Sequence, residues 1–388
     1  MEQEKMPRRL WLSLAGLTFA AFIFNTSEFV PVGLLLNIKN DFGLSDSSVS
    51  LLISVYAWVV MLMSLPLMLL VSRMEMKRLM LWLLLLFGAS HVVSFFSTSY
   101  AMLMASRIGV ACAHSVFWSV VSPMAVRMVS ERYRAVALST VVTGSSVAMI
   151  LGMPLGRMVG LHLGWRVTFL LIGIFAFVTL IYAAVTLPRI PSRGSFSVKK
   201  LPGLFADRQM SGMFLFTLVV STSYYVCYSF IEPFLVHVAG MTDRLCTATL
   251  MIYGLFGFFG SLAFSKYYNR GRNRFMTLMV GTMALCLLLI RPLSFSLPLC
   301  IVTCAVWGLS VTAYNVAMQS NIILKAPQGG AAVAMSIFSG IYNLGIGLGA
   351  LLGGLVATHA SLSLIGYVGF ILCLIGWLFW ITWLGKRI

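Results

Sequence analysis

The sequence predicts an all-α membrane protein: twelve transmembrane helices forming two six-helix, pseudo-symmetric bundles, with both termini in the cytoplasm. Three observations carry this. Of 388 residues, 60% are hydrophobic and only 10% charged, against roughly 45–50% and 25% in an ordinary soluble domain. The apolar residues run in continuous stretches of about 20, long enough to cross a ~30 Å hydrocarbon core as helix. A membrane β-barrel would instead show alternating segments of about 10 residues. Finally, the basic residues crowd onto one of the two sides that these stretches define.

Taken in order, the stretches lie at 11–36, 47–71, 79–97, 101–126, 136–160, 165–187, 210–236, 245–265, 275–293, 298–324, 331–357 and 362–384. The first follows Lys5, Arg8 and Arg9 and so imitates a signal peptide. It is too long for that, and no A-x-A site follows, so it is read as a helix. With the N-terminus inside, 21 of the 27 Lys and Arg fall inside, five outside, and Arg107 alone within a span. This bias orients the chain. It also accounts for the net charge of +17 without nucleic acid as a partner. The longest interruption, 188–209 (PRIPSRGSFSVKKLPGLFADRQ), holds three prolines and five basic residues. It reads as a cytoplasmic linker between an N-terminal bundle at 1–187 and a C-terminal one at 210–388. The seven cysteines form no C-x-x-C pair and read as small apolar residues.

The halves are weakly alike. Span 1 ends in N-T-S-E-F-V-P and span 7 in Y-S-F-I-E-P; span 5 carries G-M-P-L-G and span 11 G-I-G-L-G. Two such repeats suit a secondary transporter with a central site. The glycine runs in spans 5 and 11 follow no strand and read as close helix packing rather than a dinucleotide fingerprint. With no H-E-x-x-H, P-loop or nucleophile elbow, nothing suggests an enzyme, a metal or a cofactor.

Of ten acidic residues only Glu28 and Glu232 fall inside spans. An ionisable group in hydrocarbon is costly (~2.5–3.5 kcal/mol on insertion scales), so it faces a partner or a wet cavity. At ~1.5 Å per residue, Glu28 on span 1 and Arg107 on span 4 lie at similar depths, roughly 12 and 9 Å from the outer face. His114 lies two turns deeper, and Asn25 precedes Glu28 by three residues on the same helix face. Glu28 has two readings, a proton carrier or a permanent structural partner of Arg107. His114 is either a second titrating group or a neutral hydrogen-bonding one. Glu232, near the outer end of span 7, is weighted toward gating or structure. In the second half the intramembrane polar groups are uncharged: Tyr224, Tyr225 and Tyr228 on span 7, Asn315 and Gln319 on span 10, Ser339 and Asn343 on span 11. Amides, hydroxyls and rings suit a neutral polyhydroxylated ligand. The competing account is hydrogen bonding between helices.

F-N-T-S-E-F-V-P-V-G-L-L in span 1, S-R-I-G-V-A-C-A-H-S-V-F-W-S in span 4, G-M-P-L-G-R-M-V-G in span 5 and F-S-G-I-Y-N-L-G-I-G-L-G-A-L in span 11 closely resemble bacterial sugar efflux transporters. These belong to the drug:proton antiporter branch of the major facilitator superfamily, and the likeness covers nearly the whole chain. It implies the major facilitator fold in a bacterial inner membrane, and proton-driven export of sugars or sugar analogues by alternating access. It supports Asn25, Glu28, Arg107, His114, Tyr224, Tyr228, Glu232, Gln319, Ser339 and Asn343 as family-matched positions. Glu28, Arg107 and His114 are the proton-coupling set. Asn25, His114, Tyr224, Tyr228, Asn315, Gln319, Ser339 and Asn343 are the substrate-binding set. Gly152, Pro154 and Gly156 resemble the antiporter motif of span 5, a packing kink that limits leak. Two features depart from the pattern. The loop after span 2, normally G-x-x-x-D-R-x-G-R-R, has Arg73 in place of the Asp, with Glu75 as a possible substitute. Asn315 stands where a small residue is usual.

The expected partners are a small sugar-like solute, protons and the lipid bilayer, with the protein a monomer. The rivals are a multidrug or nucleoside exporter of the same fold, a non-transporting membrane sensor, and a passive facilitator.

Overall fold

The computed structural model describes residues 6–44, 46–191 and 201–387. Among them are twelve helices long and apolar enough to cross a membrane. Span 1 is α1 (Arg8–Phe29), followed by a 3-10 turn (Val30–Leu34) and a short α2 (Leu35–Phe42). Spans 2, 3 and 4 are α3 (Asp46–Val71), α4 (Met76–Phe95) and α5 (Tyr100–Met128). Span 5 is split into α6 (Arg134–Val147), a π-helical turn (Ala148–Gly152) and α7 (Met153–Leu163). Span 6 is α8 (Trp165–Thr186). After a short α9 (Leu201–Ala206), span 7 is α10 (Arg208–Tyr228), followed by α11 (Ile231–Pro233) and a π turn (Phe234–Val238). Spans 8 to 12 are α12 (Asp243–Tyr267), α13 (Arg272–Leu289), α14 (Leu297–Lys325), α15 (Ala331–His359) and α16 (Ile365–Phe379).

Short polar signals bound these apolar helices. Ser99 caps α5 by accepting the Met102 N–H at 3.2 Å, and Asp207 caps α10 through the N–H groups of Gln209 and Met210. Such caps satisfy donors that a helix start leaves unpaired. At Gly164 (φ +94) the chain takes a conformation that suits glycine and turns from α7 into α8.

The chain divides into two compact units. The first is 1–198 with 327–340, and the second is 199–326 with 341–388. Part of the expected linker (192–200) lies outside the described residues. Residues 327–340 group with the first unit. In that segment a Cβ at Gly340 would lie 3.4 Å from the Met61 carbonyl of α3.

In each unit a row of glycines packs against the first helix or the turn that follows it. In the first, a side chain at Gly144, Gly152, Gly156 or Gly160 would run into Thr18, Thr26, Val30 or Leu34 respectively. In the second, Gly345, Gly349 and Gly353 press in the same way on Ser221, Tyr225 and Val226 of α10. Without a Cβ, backbones can approach closely enough for dispersion contact. The likeness of spans 5 and 11 is thus a likeness of packing partners: each lies on the first helix of its own repeat.

Candidate functional site

The site in the first unit is built around a proline. Pro31 has no N–H to return to the carbonyl of Ser27 four residues earlier, and its ring crowds that carbonyl. The α-helix therefore stops at Phe29 and continues as a 3-10 turn. This corrects the expectation of one uninterrupted helix over 11–36. It also leaves the Ser27 carbonyl without a helical partner. Arg107 of α5 takes it: Nη1 donates to the Ser27 carbonyl at 3.3 Å and to the Ser27 hydroxyl at 3.4 Å. The guanidinium is almost wholly buried (2% exposed) and lies 4.6 Å over the Tyr56 ring of α3. A desolvated cation over a ring face gains about 2 kcal/mol.

Glu28 follows Ser27 and is partly exposed, its side chain 22% accessible. Its Oε2 lies 3.8 Å from His114 Nε2. Arg107 thus hydrogen-bonds the backbone beside Glu28 and acts on the carboxylate through charge, while Oε2 stands beyond hydrogen-bond distance of His114. His114 is buried, its Nδ1 2.7 Å from the Tyr56 hydroxyl and its Nε2 3.0 Å from Trp118 Nε1. An indole N–H only donates, so His114 Nε2 accepts, and Nδ1 carries the proton and donates to Tyr56. In this arrangement the imidazole carries a single proton, on Nδ1. Behind it, Phe24 stacks between Phe87 and Phe117 with centroids 4.0 Å apart on each side. His91 of α4 shares a 2.8 Å hydrogen bond with the Ser27 hydroxyl. Asn25 donates to the Ala21 carbonyl (3.0 Å) and to Ser145 Oγ (2.9 Å), tying α1 to α6.

In the second unit, Tyr224 and Tyr228 belong to a buried aromatic cluster with Tyr253 and Trp307. Tyr253 donates to the Tyr224 hydroxyl at 3.0 Å, and all three tyrosine rings lie 5.6–6.2 Å from Trp307 at steep angles. Edge-to-face contacts of this kind add to simple burial. Gln319 donates to Asn315 Oδ1 at 2.6 Å, so the two share a face of α14. On α15, Ser339 is buried and Asn343 half-buried. Glu232, expected within span 7, stands exposed beyond the end of α10, which stops at Tyr228. Pro233 four residues after Ser229 prevents the helix from continuing unchanged.

Outside the spans, Glu75 caps α4. Its carboxylate accepts from Lys77 N (2.9 Å), Arg78 N (3.1 Å) and Ile190 N (2.9 Å). Burial pushes this carboxyl up, but the three N–H donors outweigh it and hold it below the usual carboxylate range. Arg127 donates to the Pro191 carbonyl at 2.8 Å. Glu75 and Arg127 together pin the chain that leaves α8.

Sequence reasoning missed Ser27, Tyr56, His91, Trp118, Tyr253 and Trp307. Trp118 carried a usable signal, one turn from His114 on the same face. His91 carried one as well, an imidazole inside an apolar span, whereas Tyr56 depends on helix-to-helix register and carried none.

The family model described as Major Facilitator Superfamily matches residues 17–344. The chain belongs to the major facilitator superfamily. Solved structures share the fold of this superfamily member over nearly its whole length. The human organic anion transporter MFSD10 (TETRAN) superposes with a TM-score of 0.79 at 15% identity, covering 97% of this chain and 100% of that one. The superfamily transporter FucP, in an outward conformation, gives 0.78 at 14%, with 96% and 99% covered. The protein is therefore a multi-pass membrane transporter of secondary type, not an enzyme.

Proposed function

We propose that this superfamily member exports sugars or sugar-like neutral solutes, such as pentoses and galactoside analogues, in exchange for inward-moving protons. In this reading it is a monomeric drug:proton-branch antiporter of a bacterial inner membrane and works by alternating access. The observation that carries the reading is the setting of Glu28. Glu28 sits at a helix break beside a neutral histidine and a buried guanidinium. A carboxylate kept in such a place at a cost of several kcal/mol is a functional site by default.

Glu28 takes the proton, and Arg107 fixes the backbone on which Glu28 rides. Asn25 and His114 in the first unit, with Tyr224, Tyr228, Asn315, Gln319, Ser339 and Asn343, hold the solute. Their hydroxyls and amides meet ligand hydroxyls, and the rings meet apolar C–H edges. Exchange requires proton and solute to favour different conformations, because a ligand of equal affinity for both shifts nothing. Gly152, Pro154 and Gly156 keep span 5 tight on span 1 and limit leak, and Glu232 and Glu75 serve gating or structure.

The test is uptake of a labelled pentose into inverted vesicles or proteoliposomes under a pH gradient, with a lipophilic cation and a nucleoside alongside. Glu28→Gln is expected to abolish pH-driven accumulation while sparing solute exchange. Undiminished accumulation in that variant removes Glu28 from the mechanism. Flux that ignores the gradient indicates a facilitator, and no flux a sensor.

A further inference from the structure

His114 Nε2 carries one in-plane lone pair, and two groups stand within reach of it. Trp118 Nε1–H occupies it at 3.0 Å, and Glu28 Oε2 waits at 3.8 Å. An ionised carboxylate has no hydrogen to offer and cannot compete. A protonated one has an O–H, and a move of about 1 Å brings it to hydrogen-bond distance, roughly 2.5–3.0 Å. Rotation of the carboxyl about its own side-chain bonds supplies such a move. The other face of the imidazole is fixed, since Nδ1–H is held by the Tyr56 hydroxyl at 2.7 Å.

We propose that His114 Nε2 is a switched acceptor, held by the Trp118 indole while Glu28 is ionised and by the Glu28 O–H once Glu28 is protonated. This rests on the reading of Glu28 as the proton carrier. The proton comes from water onto Glu28 Oε2, forming one O–H bond, and later returns to water. His114 stays neutral throughout, and the count is one proton per cycle of the switch. Trp118 loses its acceptor when the proton arrives. Its half-buried ring is then free to change position on α5, so an event at the carboxyl alters the face of a neighbouring helix. Trp118 is thus a positioning residue.

The titratable and charged groups around Glu28 do not replace this exchange. Arg107 is committed to Ser27 and the Tyr56 ring, and His91 meets the Ser27 hydroxyl. Tyr56, from α3, meets Nδ1 rather than Nε2.

The experiment follows the indole N–H signal of Trp118 by NMR in full-length protein held in nanodiscs, assigned by its loss in Trp118→Phe. Glu28→Gln places a neutral N–H donor where the protonated acid would be and is expected to move the signal upfield. Glu28→Ala offers no donor and is expected to leave it in place. His114→Phe gives the position of the released indole, and the Glu28→Gln signal is expected to lie toward it. Acidification of the wild type is expected to move the signal the same way, and Glu28→Ala is expected not to respond. A signal unmoved by both Glu28 variants and by acid overturns the proposal, as does one moved equally by Gln and Ala. Size-exclusion profiles and the remaining indole signals report whether each variant is folded. If the signal stays fixed while Glu28→Gln loses pH-driven uptake, the switch fails and the proton role stands. If Glu28→Gln retains that uptake, the proton role itself has failed.

Discussion

The bond between Arg107 and the Ser27 carbonyl exists because Pro31 vacates that carbonyl, so the two residues are energetically coupled. The perturbation is Arg107→Met, which keeps much of the side-chain length and removes every donor. In the wild-type background it strips the Ser27 carbonyl and hydroxyl of contacts at 3.3 and 3.4 Å and removes the cation 4.6 Å from the Tyr56 ring. An orphaned buried acceptor costs about 1–3 kcal/mol. Lifting a guanidinium out of the interior returns part of the loss, because its desolvation penalty disappears. The desolvation and ring terms recur whatever residue follows Val30, so they cancel in a double-mutant cycle.

Pro31→Ala supplies the missing N–H, lets the helix close, and gives Ser27 a backbone partner. Arg107→Met should then cost about 1–2 kcal/mol less in the Pro31→Ala background than in the wild type. The assay is urea or mixed-micelle unfolding of the four proteins, followed by circular dichroism. Amide exchange at the substituted position confirms that the new N–H is protected. Additivity of the two substitutions within about 0.3–0.5 kcal/mol, with that amide protected, refutes the reasoning.

Three other outcomes are expected. Glu75→Ala should cost about 0.5–2 kcal/mol through loss of the cap and should speed amide exchange at Ile190. In the wild type the Glu75 carboxyl is held low, so its contribution is present at neutral pH. It is lost as pH falls through the folded value, seen as faster Ile190 exchange after correction for intrinsic rates. Gly345→Ala should destabilise by about 1–3 kcal/mol, and Ser221→Gly should recover part of that, because the added methyl meets the Ser221 side chain. Gly349→Ala meets the Thr222 carbonyl and should gain nothing from Ser221→Gly, as thermal unfolding would show. Asn343→Ala should weaken solute binding in calorimetry, and unchanged affinity takes α15 out of the binding set.

The fold was readable because a bilayer forces a simple rule on sequence. Only helices of about 20 apolar residues satisfy their own backbone there, and α4, α5, α8 and α14 fall within a few residues of their expected limits. What failed was continuity. Spans 1, 5, 7 and 12 are interrupted by 3-10 or π turns, and hydropathy is blind to a break that leaves apolar character intact. Pro31 and Pro233 were the available clues. They mark which carbonyls are freed, and at Pro31 that carbonyl explains why an arginine is tolerated at position 107. Within the site, Glu28, Arg107 and His114 were legible because charge and imidazole are rare in hydrocarbon. Tyr56 and Trp307 were not, since aromatic residues recur in most spans and only the register of neighbouring helices selects among them, whereas His91 carried the same imidazole signal as His114 and was overlooked. The protonation state of His114 needed the Trp118 donor, whose orientation no spacing rule supplies.

The glycine seams have a mechanical consequence. Interlocking side chains make two helices behave like meshed gears: to slip, each ridge must climb out of its groove. Where glycines open notches, as on α7 against the 3-10 turn after α1 and on α15 against α10, the partner's side chains (Val30, Leu34, Ser221) seat in them. Such a joint is close and keyed, so an axial glide must lift those side chains out of their notches. A proline-broken helix held in this way keeps its register while its end is free to bend.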